Sequence, residues 1–153
     1  MSVLLFLHVF GAILLVGNIV TAAFWNWRAY GTGNPAVIRH AAKTVMLADF
    51  FFTLPGVLLI TVSGSLMAER TGGLAAGFNW LTLSLLLFGL TGAIWLGVLL
   101  PLQRGLIRHS ARIPETGELP REFRRALSGW NAFGTAATLL PVVVLYLMID
   151  KPF

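Results

Sequence analysis

Apolar residues gather along this chain in four long runs, approximately 3–24, 46–67, 80–101 and 129–149. About 20 residues, at 1.5 Å each, carry a helix across roughly 30 Å of hydrocarbon. A lone strand or loop would leave backbone groups unpaired in lipid, so helix is the expectation for all four runs. The few polar residues inside the runs recur at helical spacing. At 100° per residue, His8, Gly11, Leu15, Asn18, Ala22 and Trp25 share one face of the first run. The second run aligns Asp49, Thr53, Gly56, Ile60, Ser63 and Met67; the third, Ser84, Phe88, Thr91 and Trp95; the fourth, Trp130, Gly134, Ala137, Pro141 and Met148. Small residues let helices approach in lipid and polar ones bond across them, so the stripes predict a compact all-α bundle of four transmembrane helices. No linker or repeat divides the chain, which reads as a single domain over 1–153.

Composition agrees with a membrane solvent. Of the 153 residues 57% are hydrophobic and only 11% charged, against roughly a quarter charged in a soluble domain. A net charge of +5 could suggest nucleic acid, but the cations flank the apolar runs, which speaks for a membrane and against nucleic acid. Arg28, Arg39, Lys43, Arg104, Arg108, Arg112, Arg121, Arg124 and Arg125 lie in the connections 28–45 and 102–128; Arg70 and Lys151 are the only cations elsewhere. The positive-inside rule then places both connections in the cytoplasm and both termini outside (N-out/C-out), in a multi-pass protein of a bacterial cytoplasmic (inner) membrane. The first run lacks a preceding basic region and is followed by Arg28, unlike a cleaved signal peptide. ERTGG at 69–73 reads as the outer turn. LPREFRRAL at 119–127 reads as an amphipathic segment with Leu119, Phe123 and Leu127 on the lipid headgroups and its arginines meeting anionic lipid.

Candidate chemistry is sparse. With no cysteine there are no thiolate metal sites, iron–sulfur clusters or disulfides. No nucleophile–base pairing, phosphate-cradling glycine loop or pair of hydrolytic acids is present. His8 reads either as a structural imidazole bonded to a serine or a backbone carbonyl, or as a metal ligand to haem or copper. His40 and His109 belong to the cytoplasmic side, so a haem on His8 would be five-coordinate, take Met67, Met148 or Lys151 as its second ligand, or borrow one from another protomer. Asp49 is the only acid within a run, and an ion pair with Arg28 or Arg39 and a proton relay are its two readings. Asn18, Arg28 and Asp49 form the expected structural polar group.

The segments FLHVFGAILLVGNIVTAAFW, VMLADFFFTLPGVLLITVSG, IWLGVLLPLQ and WNAFGTAATLLPVVVLYLMIDKP resemble the domain-of-unknown-function 2269 family of small bacterial membrane proteins. More distantly the chain is similar to CopD-like copper-resistance proteins and HemJ-type protoporphyrinogen oxidases, four-helix units with a leucine-histidine pair in the first span. Those relatives carry a tryptophan seven residues after that histidine, where this chain has Leu15. The resemblance implies haem b held by His8, with Gly11 letting the macrocycle approach, and an oxidoreductase or electron-transfer role with quinone or a porphyrin as partner. A non-catalytic accessory or assembly subunit and a copper carrier remain as alternatives. So small a bundle leaves many apolar faces for membrane lipids, for homo-oligomers or for a larger membrane complex.

Overall fold

The computed structural model describes residues 2–152 apart from 73, 74, 76, 115 and 117. Four helices are long and apolar enough to cross a membrane: α1 (Ser2–Gly31), α2 (Pro35–Thr71), α3 (Trp80–Ser110) and α4 (Arg121–Asp150). There is no strand among the described residues. Every helix outruns its apolar stretch, because apolarity marks the limits of lipid while helices end at their caps. Asn34 starts α2 by accepting the amides of Ala36 and Val37, with Pro35 in the first turn, where a missing N–H costs nothing. Asn79 caps α3 through the amides of Leu81 and Thr82. Gly72, at φ 64°, ends α2 in the left-handed conformation that glycine tolerates; Gly73, the last residue of the expected turn, lies outside the described residues.

Two helices carry a π-helical turn, Asp49–Thr53 in α2 and Trp95–Leu99 in α3. Each precedes a proline, Pro55 or Pro101. Proline lacks an N–H and its ring crowds the carbonyl one turn back, so the helix widens just before it. Leu54 N–H then bonds to Asp49 O, and Leu100 N–H to Trp95 O.

The helices associate as two pairs. In the first, α1 crosses α2 at Gly11 and Gly56. A Cβ built on Gly11 would meet the Gly56 carbonyl oxygen at 3.0 Å, and one on Gly56 would meet the Gly11 carbonyl oxygen at 2.9 Å. In the second, α3 packs on α4 around the fully buried Ser84, with Leu81, Thr91, Ala137, Pro141 and Leu147 buried along the two helices. The pairs meet at the end bearing the connections 32–34 and 111–120, called the basic end below. There Pro35–Ala48 packs on Leu100–Ser110, and Tyr30 lies edge-on to Phe123 at 6.0 Å. Toward the end bearing the termini the bundle is splayed, not closed as the stripes suggest. Among the described residues the Cα atoms of Leu54–Thr71 and Trp80–Ile94 nowhere come within 8 Å of each other, and a crevice of about 340 Å³ opens between them beside Ser65, Ala68, Glu69 and Leu85.

The amphipathic stretch at 119–127 does not lie on headgroups. Phe123 is fully buried in a cluster with Ile38, Leu106 and Ile113, against which Leu119 and Leu127 also pack. Apolar partners on α2 and α3 cover these side chains, because those helices extend past the membrane run to meet them.

Candidate functional site

Two polar sites lie at different depths. The first belongs to the α1–α2 pair near the terminal end. His8 Nδ1 is 3.1 Å from Ser63 Oγ, the serine bond that its structural reading anticipates. The Ser63 hydroxyl has one proton, and donates it to the Leu59 carbonyl oxygen. Nδ1 must therefore carry the hydrogen in its contact with Ser63. This bonding pattern leaves the Nε2 lone pair free, and Nε2 has no hydrogen-bond partner among the described residues. One edge of the ring rests on α2 where Gly64 has no side chain: a Cβ there would stand 3.0 Å from Cε1.

The remaining ligand candidates divide between the pairs. Met67 lies one turn beyond Ser63 on α2 and is half-buried. Met148 and Lys151 belong to the α3–α4 pair, where Lys151 Nζ sits 5.4 Å from the centroid of the Trp80 ring, a cation–π contact. Neither bonds to His8. Gly11 is no approach face for a macrocycle. The space left by its missing side chain is filled by α2, since a Cβ there would fall 2.9 Å from Leu59 Cβ and 3.1 Å from Ile60 Cγ1.

The second site lies in the basic half, where both π-helical turns begin. Asp49 Oδ1 accepts from Asn18 Nδ2 and from Thr53 Oγ1, each at 2.9 Å, and Asn18 Nδ2 also donates to Thr53 Oγ1 at 2.9 Å. Gln103 Nε2 donates to Asp49 Oδ2 at 3.2 Å, while its oxygen accepts from the Met46 amide at 2.9 Å. The Met46 amide can only donate, which fixes the Gln103 orientation. Trp95 Nε1–H, otherwise unpartnered, faces the same carboxylate without meeting strict hydrogen-bond geometry. Neutral donors from α1, α2 and α3 thus replace water around a buried carboxylate, which is what its burial demands.

The expected ion pair is not formed. Arg28, Arg39 and Lys43 are exposed, and no cation among the described residues bonds to Asp49. Arg28 is thereby removed from the polar group in which Asn18 and Asp49 stand. Its side chain leaves the outward face of α1, between the buried Asn26 and Ala29. Two participants escape the spacing rule. Asn26, only 2% exposed, takes the inward place assigned to Trp25, which is 63% exposed. Gln103 lies beyond Pro101, where the apolar run ends. Continuing the α3 stripe from Trp95 in steps of four, through Leu99, would have found it. Asn26 Oδ1 and Tyr30 Oη are buried without partners on the same side of α1.

The chain belongs to the DUF2269 family, described as predicted integral membrane protein, whose match covers residues 2–152. Neither a curated protein nor a solved structure matches it.

Proposed function

We propose that this DUF2269 protein binds a haem b through Nε2 of His8 and serves electron transfer or an oxidoreductase in the membrane. One observation carries the reading: Nδ1–H is committed to Ser63, which orients the ring and leaves the lone pair of Nε2 without a hydrogen-bond partner among the described residues. A metal-binding histidine is normally held this way, its other N–H donated to a fixed acceptor. When bound, the iron would supply one-electron chemistry. The chain's own part is to fix the imidazole plane through Ser63, Leu59 and Gly64 and to keep Nε2 in an apolar setting. Met67 is the soft donor on the helix that holds Ser63, Lys151 rests against Trp80, and Met67, Met148, Lys151 or a side chain of another protomer would supply any second ligand. A porphyrin or quinone arriving through the bilayer would be the redox partner.

An absorption spectrum of protein purified in mild detergent from haem-replete cells tests the proposal. The wild type should show a Soret band that His8→Ala abolishes and Ser63→Ala shifts, while His40→Ala and His109→Ala leave it unchanged. Colourless wild-type protein overturns the haem reading and leaves the accessory-subunit role.

A further inference from the structure

The helices are longer than a bilayer requires. At 30 residues, α1 and α4 each extend about 45 Å, against a hydrocarbon thickness of roughly 30 Å. At the basic end this surplus length closes its own small core of Ile38, Leu106, Ile113 and Phe123, with Tyr30 against it. A core of this kind sets the direction of every other side chain on the same helical turns. Arg28 leaves α1 outward, Arg39 and Lys43 leave α2, Arg104 and Arg108 leave α3, and Arg124 and Arg125 leave α4; all seven are exposed. None of them makes an ion pair with another described residue. Because Ile38, Leu106 and Phe123 touch, the cations within a turn or two of them lie at similar depth. Beside Arg28, Phe24 stacks edge-on with Trp25 at 5.6 Å and lies 6.2 Å from Trp27, and both indoles are exposed, as aromatic anchors are at a headgroup layer.

We infer that these cations form a rigid girdle that binds the headgroups of anionic phospholipids in the leaflet on the basic side. Seven exposed like charges at one end of the bundle set up a positive potential that attracts anions, and the aromatic group beside them locates that potential at the membrane surface. Arginine matches a phosphate with two parallel N–H donors, and of the seven cations all but Lys43 are arginines, spread over all four helices. A flexible basic tail must be ordered on binding; here the backbone is already helical. Each cation near an anionic surface contributes about a five-fold preference. The girdle is independent of His8 and of any haem.

The test uses the full chain in mild detergent, titrated with phosphatidylglycerol, phosphatidylcholine or inorganic phosphate, with bound lipid counted by native mass spectrometry and thermal stability followed in parallel. Phosphatidylglycerol should bind preferentially, raise the melting temperature and lose both effects in high salt. Arg104→Gln with Arg108→Gln should lower that preference about 25-fold, whereas the pair Arg104→Lys and Arg108→Lys should keep most of it. Equal binding of the two lipids overturns the girdle. So does wild-type lipid preference in the double Gln variant, and so does inorganic phosphate reproducing the stabilisation, which would indicate a free-anion site.

Discussion

Gly11→Ala and Gly17→Ala add the same methyl group to the same helix, with opposite expected results. Around Gly17 nothing lies within 4 Å of the new carbon. The substitution there only removes glycine's backbone entropy and should stabilise by about 0.5–1 kcal/mol. At Gly11 the methyl would fall 2.9 Å from Leu59 Cβ, 3.0 Å from the Gly56 carbonyl oxygen and 3.1 Å from Ile60 Cγ1. The first two neighbours are backbone or attached directly to it, so neither can rotate away. Helices α1 and α2 must then separate by a few tenths of an ångström along their crossing, at an overpacking cost of about 1–3 kcal/mol. The entropy gain is common to both variants and cancels. Gly11→Ala should therefore be less stable than Gly17→Ala by about 1–3 kcal/mol. Equilibrium unfolding in mixed micelles, followed by circular dichroism, measures the difference. Equal stability of the two variants would refute the close crossing and reopen the face of Gly11 to a flat ligand.

Asp49→Asn turns one of the two acceptor oxygens into an NH2 group that faces either Asn18 and Thr53 or Gln103, all set to donate, and should cost about 1–3 kcal/mol for each buried group left unpaired. Arg28→Gln should stay within about 0.5 kcal/mol of wild type; equal losses in the two variants, read by thermal unfolding in detergent, would restore the ion pair. Phe123→Ala empties the centre of the basic-end core and should cost about 3–5 kcal/mol. A loss below about 1 kcal/mol in the same assay would instead place Phe123 on the headgroups.

Much of this protein was legible before any packing was known. The four spans follow from run length against bilayer thickness, since lipid forces each run to satisfy its own backbone. The inward faces follow from the helical period, because lipid will not solvate the Asn18 amide, the Asp49 carboxylate or the Ser63 and Ser84 hydroxyls; all four residues are buried. His8 and its serine partner were legible for the same reason. The helix ends were not, because apolarity reports where lipid stops while caps and amphipathic turns such as Ile38–Ala42–Val45 carry the helix further.

Tertiary structure alone decided the rest. Whether a stripe continues from Ala22 to Trp25 or to Asn26 depends on how α1 crosses α2, since a period of 3.6 allows either step. Whether Asp49 meets an arginine or neutral donors depends on Gln103 and Trp95, which a second helix brings to it. The spacing of Gly11 says only that a side chain is missing; what fills the space is another helix, and that choice was made by contacts between residues far apart in sequence. One helix records its solvent in its own periodicity, but its neighbours are recorded only in the way distant segments fit together.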